Sequence, residues 1–174
     1  PQDSSFTSLL FTLQDVPYGD FTHKLIPTLS RERIIGVRLP ALRKAAKDLT
    51  KQQPKTVAQF LNSLPHYYHE ENLLHSFLIE QIKAFDQAIA YTEAFLPYID
   101  NWAVCDTFSP KLFQRHPKET YTHILQWLKG PQPYTIRYGI GLLLSNYLDD
   151  YFESEMLSLV ASIQSDEYYV NMMI

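Results

Sequence analysis

The sequence predicts an all-α protein, an α-α superhelix (solenoid) of HEAT-like helical hairpins, on three observations. Apolar residues recur at three- and four-residue spacing in one segment after another. No alternating apolar–polar run is bounded by a hairpin turn, so strand signals are poor. Helix pairs begin near His69, Asn101 and Pro133, thirty-two residues apart. Hairpins repeated at a fixed beat and stacked side by side are the mark of a solenoid, whose concave face is lined by one helix of each pair. The beat is short for a HEAT repeat and carries no residue-level self-similarity, hence "HEAT-like".

The elements follow in order. Helices are expected near 4–14 and 18–29. Over 39–51, LPALRKAAKDLTK, the residues Leu42, Ala45, Ala46 and Leu49 form one apolar stripe, and Pro40 suits the first turn. A short helix is expected near 55–63. Over 69–83, Leu73, Leu74, Phe77, Leu78 and Ile82 keep the helical period, with Glu70 and Glu71 in a first turn whose dipole favours carboxylates. Residues 86–96 continue with Ala88, Ile89, Thr92 and Phe95 until Pro97 stops the run. Further helices are expected near 101–108, 118–128, 133–147, 153–164 and from 167 onward, with breaks at Phe85, Pro110 and Asp149–Asp150.

At 174 residues and 45% hydrophobic content the chain supports one sizeable core, so a single repeat domain over 1–174 is expected. No apolar run approaches the length of a membrane-spanning helix. No signal peptide is visible, and a chain that opens on Pro1 rather than methionine reads as truncated at its start. The single cysteine, Cys105, has no internal disulfide partner; in its helical setting beside Asp106 it reads as buried and inert. The composition suits a cytoplasmic protein without membrane or metal partners. Oligomeric state is not legible.

The net charge of −4 argues against nucleic acid until its placement is considered. Residues 31–55 hold eight basic side chains against Glu32 and Asp48, while beyond Arg137 there is no lysine or arginine at all. Such segregation makes a basic surface on an acidic protein, unless the lysines are simply solvated helix faces. Arg43, Lys47 and Lys51 fall every fourth residue, with Lys44 adjacent, and are the candidate DNA contacts.

Candidate chemistry centres on 97–106, PYIDNWAVCD. Trp102 and Asp106 stand four apart, which puts them on one helix face. Arg137 sits in the otherwise apolar stretch PYTIRYGIGLLLSNYL at the corresponding place of the next pair, where a guanidinium needs a partner or a ligand. A structural Asp106–Arg137 ion pair and a ligand site explain this equally well. His66, His69, Glu70, Glu71 and His75 look like a metal cluster, but His69 and His75 are six apart and His66 lies beyond Pro65. The metal-protease spacing is absent, so neither metal nor other cofactor is expected. No phosphate loop and no Ser-His-Asp or Cys-His constellation can be identified.

Five stretches taken together, GVRLPALRKAAKDL (36–49), YHEENLLHSFLI (68–79), IDNWAVCD (99–106), PYTIRYGIGLLLSNYLDD (133–150) and YYVNMMI (168–174), resemble the DNA alkylation repair family. These are HEAT-like alkylpurine DNA glycosylases and their relatives. The resemblance runs from about residue 30 to the end. It implies catalytic roles for Trp102, Asp106 and Arg137, contacts to the lesion-bearing nucleotide, and hydrolysis without flipping the base into a pocket. The partner implied is double-stranded DNA with alkylated bases. The family continues after the YYVNMMI-like segment to another tryptophan, which lies past Ile174. Several relatives have no demonstrated glycosylase activity, so the alternative is a non-catalytic helical-repeat protein that binds DNA structures or a protein partner.

Overall fold

The computed structural model describes residues 5–174; positions 1–4, including the first residue of the helix expected at 4–14, lie outside the described residues. The described residues form twelve α-helices and no strand. In order these are α1 (Ser5–Thr12), α2 (Val16–Leu25), α3 (Leu39–Gln52), α4 (Pro54–Leu61), α5 (His69–Glu80), α6 (Phe85–Phe95), α7 (Trp102–Thr107), α8 (Lys111–Arg115), α9 (Pro117–Trp127), α10 (Pro133–Asn146), α11 (Ser154–Ala161) and α12 (Tyr168–Asn171). Short 3-10 turns occupy Arg31–Arg33 and Leu96–Tyr98. The all-α expectation is thus met, with differences at element ends. α2 stops at Leu25 rather than 29, because Pro27 pushes Ile26 to φ −125°, ψ 64°, outside the helical region. α8, which the periodicity did not reveal, is a five-residue turn between Pro110 and Pro117, too short to show a period. The helix expected from 167 onward is the four-residue α12.

Two compact units divide the chain, one up to Phe108 and one over Ser109–Ile174. In the first, α5 is the hub: α1, α3, α4, α6 and α7 all pack on it. Every residue from His69 to Ile79 is buried. Apolar periodicity anticipated one stripe there, but a helix surrounded on all sides must also bury its polar residues, and these need partners. Glu70 accepts the backbone N–H groups of Ile35 and Gly36, each at 2.8 Å. Glu71 accepts the Thr7 hydroxyl at 2.5 Å and the N–H groups of Tyr67 and Tyr68 at 3.1 and 2.9 Å. The two carboxylates thereby fasten the 34–37 and 66–68 connections and α1 onto the start of α5. The apolar stripe of α3 (Leu42, Ala45, Ala46, Leu49) is buried as its spacing predicts.

The 34–37 connection also needs a glycine. Gly36 has φ +92°, a left-handed conformation that side chains disfavour. A Cβ there would lie 2.9 Å from the Gly19 Cα and against the Asp15 carbonyl. Asp15 caps α2 through the Tyr18 N–H at 3.0 Å, and its own N–H donates to the Gly36 carbonyl at 2.6 Å. Gly36→Ala is therefore expected to destabilise the fold by about 2–4 kcal/mol. A urea titration checks this, and a loss below ~0.5 kcal/mol would show that the connection relaxes freely.

In the second unit α9 and α10 form a hairpin closed by Gly139, where a Cβ would meet Leu128 Cδ2 at 2.9 Å. Tyr147, at the end of α10, donates its hydroxyl to the Pro117 carbonyl at 2.5 Å and ties that end to the start of α9. Trp127 and Tyr138 pack with ring centres 5.6 Å apart, and α12 lies on α10.

Candidate nucleic-acid interface

The short helix α7 begins with a side-chain cap: Asn101 Oδ1 accepts the Val104 N–H at 3.1 Å. Asparagine is among the strongest residues at this position because it satisfies a first-turn donor that has no helical acceptor. Val104 and Cys105 face the core, so Cys105 is buried as expected. The opposite side carries Trp102, half-buried, and Asp106, exposed. Trp102 donates its indole N–H to the Leu25 carbonyl at 3.2 Å, which anchors one edge of the ring to the end of α2.

Trp102, Ala103 and Thr107 form one wall of a recess of about 170 Å³ within the first unit. Tyr18, Phe21 and Leu25 of α2 form another, and His69 and Glu70 lie at its base. Tyr18 and Phe21 stand 6.5 Å apart between ring centres, and the Arg38 guanidinium lies 4.8 Å over the Tyr18 ring while pairing with Asp15 at 3.0 Å. Neither α2 aromatic was singled out from the sequence. The segment has no catalytic spacing, and Phe21 is 56% exposed, so only the three-dimensional neighbourhood reveals it.

The histidines sort differently from their sequence spacing. His66 Nε2 and His75 Nδ1 are hydrogen-bonded at 2.8 Å, although Pro65 had set His66 apart from the helix. His66 stacks on Phe60 at 4.2 Å and His75 on Phe95 at 4.3 Å, so the pair sits inside an aromatic column. Burial holds His66 down to about 4 and His75 well below the ordinary imidazole range. His69 is separate, held to about 4 by burial, with Asp100 pulling the other way. Among the described residues no group of three or more His, Cys, Asp or Glu side chains is arranged to hold a metal ion.

The basic residues of α3 divide. Arg43 lies 4.2 Å over the Phe77 ring and hydrogen-bonds Glu80 at 3.1 Å, and Lys44 pairs with Asp48 at 2.6 Å. These exposed pairs are weak and exchange readily for a phosphate. Lys47 and Lys51 project into solvent from the same helix. Arg137 stands on α10 in the second unit, 5% exposed, and donates from Nη1 to the Tyr169 carbonyl at 2.6 Å. The partner that a guanidinium in an apolar stretch requires thus includes a backbone carbonyl of α12.

A family model described as DNA alkylation repair enzyme matches residues 21–169. The chain belongs to that family. The match covers α7, α10 and all of α3, and it begins within α2, earlier than the residue near 30 at which the sequence resemblance starts. Membership in the DNA alkylation repair enzyme family gives the chain a role in DNA repair. Searches of curated proteins and of solved structures returned no match. No helix among the described residues is long and apolar enough to cross a membrane.

Proposed function

We propose that this chain is a DNA glycosylase that hydrolyses the N-glycosidic bond of cationic N3- and N7-alkylated purines in duplex DNA, without flipping the base. The observation that carries the reading is the pairing on α7: an exposed carboxylate, Asp106, one helical turn beyond Trp102, on the helix that walls the aromatic recess. A purine alkylated at N3 or N7 already bears positive charge, so it leaves without a general acid. The barrier that remains is charge developing on the deoxyribose as the bond breaks. A fixed carboxylate beside that sugar stabilises the oxocarbenium-like species and orients the attacking water. Trp102, with its indole edge anchored, presents a ring face to the cationic nucleotide, worth about 0.5–2 kcal/mol. Arg137 is assigned the grip on a backbone phosphate. Arg43, Lys44, Lys47 and Lys51 supply phosphate contacts that do not depend on sequence.

The test is release of 7-methylguanine from modified duplex DNA by the purified protein. Loss of base with retention of the phosphodiester backbone supports the reading; no release at any enzyme concentration sinks it. The buried position of Arg137 and its bond to Tyr169 favour a second reading, in which this guanidinium is structural and the protein binds DNA or a protein partner without chemistry. Salt-dependent DNA binding without base loss would support that reading.

The role of α3 is testable separately. Lys47→Ala with Lys51→Ala is expected to weaken duplex binding equally across sequences and to lower the slope of log affinity against log salt by about two. An unchanged slope in anisotropy titrations would remove α3 from the interface.

A further inference from the structure

The hydrogen bonds at the start of α7 form one directed chain. Asn101 is fully buried, and its carbonyl oxygen is committed to the Val104 N–H at 3.1 Å. Its amide nitrogen therefore faces the other two neighbours, Asp100 Oδ1 at 3.0 Å and His69 Nδ1 at 3.3 Å. An amide nitrogen only donates, so His69 Nδ1 must accept, and the neutral ring carries its proton on Nε2. Asp100 is oriented in turn by Arg33, whose Nη2 lies 2.8 Å from Asp100 Oδ2 and whose Nε donates to the Tyr67 carbonyl at 2.8 Å. Each member has one workable orientation. A link thus runs from the Arg33 turn and the 67–68 connection, and from His69 at the head of α5, to Asn101, the residue that caps α7.

We infer that His69 and Asn101 are positioning residues for the α7 site: with Arg33 and Asp100 they fix the rotation of α7 and so the directions in which Trp102 and Asp106 project. The need is physical. α7 has six residues, too few to hold its own geometry without tertiary support. Buried Val104 and Cys105 and the Trp102 bond to Leu25 hold the body of the helix, and the bonds from Asn101 to His69 and Asp100 fix the end from which it starts. A shift of about 1 Å at a reacting group is enough to cost on the order of a hundredfold in rate.

The inference rests on the proposed role of Asp106, but its test does not. In a Trp127→Phe background Trp102 is the one tryptophan left of the two in the chain. Asn101→Ser keeps an N-cap acceptor for Val104 but cannot reach His69. His69→Phe keeps a ring but loses the acceptor. His69→Gln keeps an acceptor for the Asn101 amide. Asn101→Ser and His69→Phe are expected to shift Trp102 emission to the red and to raise its quenching by acrylamide, while His69→Gln retains the parent spectrum. Base release should fall about tenfold or more in the first two and recover in His69→Gln. Histidine nitrogen NMR of the parent should show His69 unprotonated at Nδ1. An Nδ1–H tautomer, or an unchanged Trp102 signal in folded Asn101→Ser, overturns the inference. Should His69→Phe fail to fold, Asn101→Ser and the tautomer decide alone. If the parent releases no base, the glycosylase reading fails while the Trp102 and NMR measurements still judge the positioning role.

Discussion

Asp106→Asn is expected to lower the single-turnover rate of 7-methylguanine release by about a hundredfold to a thousandfold, with duplex affinity changed by less than about threefold. The asymmetry follows from the chemistry. Asparagine matches aspartate in size and still accepts hydrogen bonds, so substrate binding and the position of α7 survive. What it lacks is the net negative charge that develops its full effect only as the sugar becomes cationic, and an interaction made only in the transition state appears in the rate constant and not in the ground-state affinity. Because the side chain is exposed, the cost to folding stays below about 1 kcal/mol, and circular dichroism checks that the comparison is fair. Equal release by the two proteins would remove Asp106 from the mechanism. Substitution of Arg137 is less informative, since its bond to Tyr169 makes any loss a mixture of site and fold.

Acid should unfold the first unit well before its carboxylates titrate as a group. His66 and His69 have folded pKa values near 4 and His75 lies well below 6.5, all through burial. Unfolding returns each to about 6.5. Between these values the unfolded chain binds more protons, so stability rises with pH in that window. The stabilising contribution is complete above pH 6.5 and is lost as pH falls toward 4. At pH 5 His66 and His69 each cost about 2 kcal/mol and His75 adds in the same direction, together a large fraction of the whole stability of a small domain. Urea midpoints measured at pH 7, 6 and 5 should drop steeply below 6.5. His75→Phe, which keeps the stack with Phe95, should flatten the drop by about one proton. A midpoint constant from pH 7 to 5 would show that the imidazoles are solvated in the folded state.

The parts of this architecture that were legible in the sequence share one property: their cause is local. The apolar stripe of α3 and the proline that opens it act within a few residues of themselves, and the longer helices stand close to where their period put them. The i, i+4 relation of Trp102 to Asp106 belongs to the same class. The parts that were not legible depend on partners far along the chain. Nothing near His66 announces that its ring meets His75, because the turn after Pro65 brings them together. Nothing near Glu71 announces Thr7, sixty-four positions away. Tyr18 and Phe21 read as ordinary apolar residues until α2 is folded beside α7. A first-turn glutamate was assigned to the helix dipole, a correct but incomplete account, because the neighbouring connections were not yet in view.

The enclosure of α5 carries a further implication for how this molecule can change. A rod with no outward side has nowhere to absorb a larger or differently charged residue, and its two glutamates bind three separate stretches of chain to it. Variation compatible with a working fold is thereby displaced to the periphery, to the outer sides of α2, α3 and α6. Those are the surfaces that can change while the framework behind α7 stays as it is.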